Sequence, residues 1–86
     1  MYVLIVYDIK VNRVNKVKAF LRQHLYWVQN SVFEGELSKS QYQKVNSGLK
    51  KIIKKDEDSI IIYKFPFDNP NKEILGIEKA PIDEIL

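Results

Sequence analysis

The chain begins with the run Tyr2-Val3-Leu4-Ile5-Val6-Tyr7-Asp8, and the rest of the predicted fold is built around it. The run is almost continuously apolar and rich in β-branched and aromatic residues, which is typical of a central strand covered on at least one face. It ends at a single carboxylate, Asp8, and a basic segment follows at once. An acid at the point where a buried strand reaches cationic surroundings suggests a site for metal or phosphate chemistry.

Two amphipathic helices are predicted from the spacing of apolar residues after this strand. Asn12 is the expected amino-terminal cap of the first helix, and Ser38 with Gln41 forms a capping box for the second. The apolar stripe of the first helix consists of Val14, Val17, Leu21 and Leu25. That of the second consists of Tyr42, Val45, Leu49, Ile52 and Ile53.

The remaining segments alternate in polarity and predict extended structure. Residues 27–37 form either one bent strand or a tight pair of short strands, and the pattern does not choose between them. Residues 59–65 form a further strand, and residues 73–79 are a candidate for one more. The order strand, helix, extended segment, helix, strand predicts an α+β fold. We expect a ferredoxin-like sandwich, with two helices on one face of an antiparallel sheet.

The length of 86 residues predicts one domain, which we place at residues 1–79, followed by a tail over residues 80–86. Apolar residues in this tail would be exposed unless a second subunit or a partner received them. A domain of this size buries only about 60% of its unfolded surface, so oligomerisation would stabilise it. No secretory leader or membrane span is recognised in the sequence, which predicts a soluble, cytoplasmic protein.

The composition limits the kinds of site the chain can form. Without cysteine, a metal ion must be held by oxygen ligands or by His24, which favours Mg²⁺ or Mn²⁺ over zinc. Residues 1–55 carry eleven Lys and Arg against three acids, whereas residues 56–86 carry three against eight. A cationic face attracts polyanions through counterion release, although a lysine-rich solvated surface gives the same composition.

Four segments together resemble one small protein family. They are Tyr7-Asp8-Ile9, the basic start of the first helix with Val17 and Leu21, Val28-Gln29-Asn30-Ser31-Val32-Phe33-Glu34-Gly35, and Asp58-Ser59-Ile60-Ile61-Ile62-Tyr63. In order and spacing they resemble the CRISPR-associated protein two family, the small dimeric partner of the integrase in spacer acquisition. The resemblance covers roughly residues 1–65, and the Gln29 to Gly35 part is fairly specific.

The resemblance implies a homodimer in which Asp8 of each chain faces its symmetry mate and both hold one divalent ion, Mg²⁺ or alternatively Mn²⁺. Two carboxylates brought together repel each other unless a cation or a proton lies between them, and Mg²⁺ commonly takes one or two carboxylates and keeps several waters. Asp8 is therefore the expected metal ligand and catalytic residue, with general-base chemistry as a further role. Standing alone, a strand-end aspartate would be interpreted as a turn or helix cap.

Matching the family pattern also predicts a set of residues around Asp8. Those expected to bind nucleic acid are Tyr7, Arg13, Lys16 and Arg22. Ser31 and Phe33 are expected to line the dimer cleft or interface, although Phe33 and Tyr7 are equally consistent with simple core positions. Trp27 is assigned to packing or to an interface.

The resemblance implies a protein of CRISPR spacer acquisition that is also a divalent-metal-dependent endonuclease. Its substrate would be single-stranded RNA or double-stranded DNA, and it would bind DNA in a complex with the integrase. One alternative is a non-catalytic architectural dimer that clamps DNA and bridges integrase subunits. Another is a ferredoxin-like regulator or a toxin-type nuclease of similar size and charge. Whether the terminal strand stays on its own sheet or crosses to the other subunit is open.

Overall fold

Two helices lie on one face of a four-stranded antiparallel sheet in the computed structural model, which describes residues 1–67 and 71–80. The elements in chain order are β1 (Tyr2–Asp8), α1 (Val11–Arg22), β2 (Tyr26–Gln29), β3 (Val32–Glu36), α2 (Lys39–Ile52) and β4 (Ser59–Phe65). The strands are arranged in the order β2-β3-β1-β4, so β1 is central between β3 and β4. The predicted ferredoxin-like α+β fold is confirmed.

Strand β1 organises the sheet because its side chains alternate between two faces. Val3, Ile5 and Tyr7 point toward the helices and are buried. The strand pairs with β4 along its whole length, from Tyr2 opposite Phe65 to Asp8 opposite Ser59. The core that forms between sheet and helices consists of Val3, Ile5, Tyr7, Val17, Leu21, Leu25, Phe33, Leu37, Val45 and Leu49.

Residues 27–37, which the sequence left undecided, belong to two short strands joined by a tight turn. Asn30 occupies the turn with φ of 43°, a left-handed conformation that asparagine tolerates better than most residues. The indole N–H of Trp27 donates to the Asn30 carbonyl at 2.9 Å. Trp27 therefore closes the turn in addition to packing against the core.

The two helices begin in different ways. At α2 the predicted capping box is present: Gln41 N–H donates to Ser38 Oγ at 3.2 Å, and Ser38 N–H donates to Gln41 Oε1 at 2.8 Å. At α1 the expected cap was wrong, because Asn12 lies inside the first turn and Lys10 occupies the capping position without a side-chain cap. A distant carboxylate, Asp58, accepts the Lys10 N–H instead, at 2.9 Å.

The sheet has a second face that the helices leave uncovered. We call it the open face. It is formed by alternate residues of the four strands, among them Leu4, Val6, Val32, Ile61 and Tyr63. Ile61 and Tyr63 are about half exposed, at 49% and 50%. An apolar sheet face of this kind is ordinarily buried by a further layer of structure.

Residues 71–80 form neither helix nor strand, so the strand proposed for residues 73–79 is not present within this chain. Lys72 Nζ lies 2.6 Å from Glu34 Oε2, so this segment contacts β3 on the open face, at the residue paired with Leu4. Most of the tail proposed for residues 80–86 falls outside the described residues. Among the helices of the described ranges, none is long and apolar enough to cross a membrane.

Candidate metal and nucleic-acid site

Asp8 ends β1 on the open face of the sheet, on the same side as Leu4 and Val6. Its neighbour across the ladder is Ser59, at the start of β4. The carboxylate is exposed, and it makes no hydrogen bond or ion pair with residues 1–67 or 71–80. An exposed carboxylate at the rim of an apolar face is available to an ion or to a second subunit.

The turn between β2 and β3 lies beside Asp8. The Tyr7 N–H donates to the Ser31 carbonyl at 3.1 Å, so the half-buried Ser31 sits next to the end of β1, as its assignment to a cleft requires. Within the two described ranges, no group of three His, Cys, Asp or Glu side chains is arranged to hold a metal ion. If an ion bound at this rim, Asp8 would be the carboxylate that one subunit offers to it. That donor fits Mg²⁺, which takes one or two carboxylates and keeps water in its other positions.

Two aromatic residues assigned to the site belong to the core instead. Phe33 is 0% exposed on the helix side of β3, and its ring centroid lies 6.1 Å from that of Tyr7. This burial favours the core alternative for Phe33 over its assignment to a cleft or interface. Burial raises the pKa of Tyr7, and the nearby Arg22 partly offsets that effect. The Tyr7 ring points away from the face that carries Asp8, so the geometry favours a core role over contact with nucleic acid.

The three basic residues assigned to nucleic acid differ in their exposure and in their contacts. Lys16 and Arg22 are exposed on α1, as that role requires. The Arg13 guanidinium instead donates through Nε and Nη2 to Asp58, at 2.7 and 3.0 Å, and through Nη2 to Glu57 at 2.8 Å. The Arg13 side chain is only 11% exposed. This geometry favours a structural role for Arg13, because its Nε and Nη2 donors are already engaged within the chain.

Asp58 belongs to one of the segments that carry the family resemblance, but the sequence interpretation gave it no role of its own. Its side chain is fully buried, and its carboxylate accepts hydrogen bonds from the backbone of Lys10 and Lys54 as well as from Arg13. These donors hold the pKa of Asp58 well below its usual range, with the Arg13 hydrogen bond as the largest cause. The carboxylate is therefore ionised at neutral pH. Two of its three donor residues, Lys10 and Arg13, lie 48 and 45 positions away, so no local pattern reveals these contacts.

The helix layer is uniformly basic. Neither α1 nor α2 contains an acidic residue. Its cations are Arg13, Lys16, Lys18, Arg22, Lys39, Lys44, Lys50 and Lys51. Of the acids in the first part of the chain, Asp8, Glu34 and Glu36 all occupy open-face positions of the sheet. The two helices thus carry cations alone, whereas these three acids lie on the opposite face of the sheet.

Comparison with known proteins gives the family. Residues 1–72 match the model of the family described as CRISPR associated protein Cas2. A CRISPR-associated endoribonuclease Cas2 from Methanocaldococcus jannaschii is 60% identical over 87 residues, covering all of this chain and 76% of the relative. A protein of the same name from Pyrococcus furiosus is 58% identical over 86 residues, covering both chains completely.

Solved structures give the same result. One described as a crystal structure of Cas2 superimposes with a TM-score of 0.84 at 50% identity, covering 95% of this chain and 93% of that one. Cas2 from Streptococcus pyogenes, solved at pH 6.5, superimposes with a TM-score of 0.70 at 30% identity, covering 76% of this chain and 86% of that one. From the family match over residues 1–72, with Asp8 and the matched motifs in their expected places on the fold, the chain belongs to the CRISPR-associated protein Cas2 family.

Proposed function

We propose that this protein is a metal-dependent endoribonuclease of CRISPR spacer acquisition that acts as a cytoplasmic homodimer. The observation that carries the proposal is the position of Asp8, whose carboxylate is exposed and without a partner in the described residues, at the rim of the open face. The relatives from Methanocaldococcus jannaschii and Pyrococcus furiosus are both named endoribonucleases, which supports RNA over double-stranded DNA as the substrate.

Dimerisation through the open face is the next step of the proposal. Ile61 and Tyr63 are half exposed there, and a small domain gains stability by burying such residues. A second copy can pair with this face about a two-fold axis, because an isologous interface uses the same patch on both subunits. An axis near the end of β1 would bring the two Asp8 carboxylates together.

Asp8 from each subunit would then hold one Mg²⁺ or Mn²⁺ ion. Two adjacent carboxylates repel each other, so the pair favours a bound cation over the ionised, empty state. When bound, such an ion lowers the pKa of a coordinated water and neutralises charge on a phosphodiester. Exposed Lys16 and Arg22 on α1 add favourable interactions with the phosphates of the nucleic acid.

The proposal is tested by cleavage assays on the wild type and on Asp8→Asn, each first confirmed to be folded and dimeric. Labelled single-stranded RNA and double-stranded DNA are incubated with Mg²⁺, with Mn²⁺ or with EDTA. We expect metal-dependent RNA cleavage by the wild type and a loss of at least about 100-fold in Asp8→Asn, since the ligand charge is removed. Asp56→Asn is the matched control, because it makes the same change at an exposed aspartate in the turn after α2. Equal cleavage by Asp8→Asn and the wild type would refute the assignment.

The basic helix layer favours a second candidate function. In it the protein is an architectural dimer that clamps DNA and bridges integrase subunits, and Asp8 is dispensable. The absence of any acid from α1 and α2 is the observation that supports it. This function predicts salt-sensitive DNA binding and integrase assembly that Asp8→Asn leaves unchanged, with impaired assembly after removal of residues 80–86. Wild type that binds DNA in this way but cuts neither nucleic acid would make it the better account.

A further inference from the structure

The carboxylate of Asp58 is the most highly connected buried polar group among the described residues. Oδ1 accepts from the Lys10 N–H at 2.9 Å and from Arg13 Nη2 at 3.0 Å. Oδ2 accepts from Arg13 Nε at 2.7 Å and from the Lys54 N–H at 2.9 Å. A carboxylate has about four acceptor positions, and here four donors occupy them. Such a group has one well-defined orientation.

These hydrogen bonds join three parts of the chain that meet beside Asp8. Lys10 belongs to the two-residue connection from Asp8 to α1, and Lys54 to the turn that follows α2. Asp58 immediately precedes Ser59, which is the ladder partner of Asp8. The Asp8 backbone is therefore held on one side by the β1–β4 ladder and on the other by a connection fixed to Asp58.

We propose that Asp58 and Arg13 form a positioning clamp that sets the orientation of Asp8 for metal binding. This inference rests on the proposed function, in that it assumes an ion at Asp8. The clamp contacts neither ion nor substrate, and it acts through the Lys10 N–H and the short connection to α1. Groups that orient a metal ligand from outside the coordination sphere commonly change metal affinity or activity by about 10- to 100-fold when removed.

The chain provides a matched control for this clamp. Glu57 Oε1 accepts from the same Arg13 Nη2 at 2.8 Å, but Glu57 is exposed and bonds no backbone group of the connection. Glu57→Gln therefore removes an ion pair from the same guanidinium without releasing Lys10. Asp58→Asn keeps the shape of the side chain, but its amide nitrogen cannot accept a hydrogen bond. Arg13→Lys removes the planar fork while it keeps the charge.

The experiment compares dimeric wild type, Asp58→Asn, Arg13→Lys and Glu57→Gln by Mn²⁺ binding, amide hydrogen exchange of Lys10 without metal, and kcat and KM for RNA. For Asp58→Asn we expect Mn²⁺ affinity about 10-fold weaker, faster Lys10 exchange, and kcat reduced about 10- to 100-fold with little change in KM. Arg13→Lys should change in the same direction, and Glu57→Gln should stay within about twofold of the wild type. If Asp58→Asn does not fold, the same measurements on Arg13→Lys test the proposal.

A clamp that serves only the fold gives a different result. Asp58→Asn or Arg13→Lys would then melt at lower temperature while keeping wild-type Mn²⁺ affinity and kcat, and that outcome overturns the proposal. A wild-type protein that binds no Mn²⁺ would also overturn the proposal. Weaker Mn²⁺ binding and faster Lys10 exchange in Asp58→Asn, with a wild type that does not cut RNA, would support the clamp and refute the nuclease.

Discussion

At the scale of single residues, Phe33 tests the distinction between core and interface. It is 0% exposed and packs against Tyr7, so truncation leaves a cavity inside one subunit. We expect Phe33→Ala to lower the free energy of unfolding by about 3–5 kcal/mol, and Phe33→Leu by less. Urea denaturation at a fixed protein concentration measures both. A Phe33→Ala protein that keeps wild-type stability as a monomer but no longer dimerises would restore the interface interpretation.

Asp58 predicts how stability depends on pH. Its pKa lies below the ordinary value of 3.8 because the folded protein stabilises the charged form. The unfolded chain therefore binds more protons than the native one below about pH 4, and the contribution of Asp58 is lost as the pH falls. The melting temperature of the wild type should drop between about pH 4 and pH 2 more steeply than that of Asp58→Asn. Asp56→Asn, the exposed control, should retain the wild-type slope.

Comparing the sequence predictions with the structure shows which residues of the candidate site a sequence can reveal. Asp8 was identified because a charge at the end of an apolar strand is a local contrast. Asp58 was missed because the Arg13 that fixes it is 45 positions away, and a run of charged residues after a helix normally faces water. Arg13 was assigned to nucleic acid because it matches a basic position of the family, and an arginine on a basic helix gives no sign of a buried partner.

At the scale of the elements, local signals succeeded where the interaction itself is local. The Ser38 capping box lies within four residues and is present as predicted. The start of α1 was misplaced because the group that receives its Lys10 N–H comes from the far end of the domain. The two short strands over residues 26–36 stayed ambiguous because the turn depends on one left-handed Asn30, which sequence permits but does not require.

Gly48 of α2 lies against the Phe20 ring of α1. An alanine there would place its Cβ in a clash with Phe20 Cζ and 2.7 Å from Phe20 Cε1. Overpacking costs about 1–3 kcal/mol, against a gain of about 1 kcal/mol in helix propensity, so we expect Gly48→Ala to lose about 1 kcal/mol in urea unfolding. Phe20 is half-buried and can yield, which keeps the loss small.

Two variants isolate the contact from the helix propensity. In a Phe20→Ala background the same Gly48→Ala change should become stabilising by about 1 kcal/mol, because the clash is gone. Ser47→Ala, at an exposed neighbouring position, should gain a few tenths of a kcal/mol in either background. If Gly48→Ala in the wild-type background were more stable than the wild type, the Phe20 ring would have moved aside at no cost.

At the scale of the whole molecule, the order and periodicity of the elements were enough to predict the fold, since they leave few ways to cover one sheet face with two helices. The separation of charge could not be predicted in the same way. The sequence shows that basic residues prevail in residues 1–55 and acidic ones in residues 56–86, but it does not show which faces of the domain carry them. The helix layer carries cations alone, whereas Glu34, Glu36 and Asp8 share the open face.

The proposed dimer interface is tested by placing a charge in the open face. Ile61→Lys introduces one ammonium group per subunit into a patch where Ile61 is 49% exposed, and two-fold symmetry doubles the effect. Because each buried, unpaired ion costs several kcal/mol, we expect the dimer dissociation constant to rise at least about 100-fold. Sedimentation equilibrium measures this constant. Ala19→Lys, at an exposed position of α1, should leave the dimer intact. Monomeric Ile61→Lys should also bind Mn²⁺ more weakly although Asp8 is unchanged, because a monomer offers one Asp8 carboxylate where the dimer offers two. A dimeric Ile61→Lys protein would place the subunit interface elsewhere on the molecule.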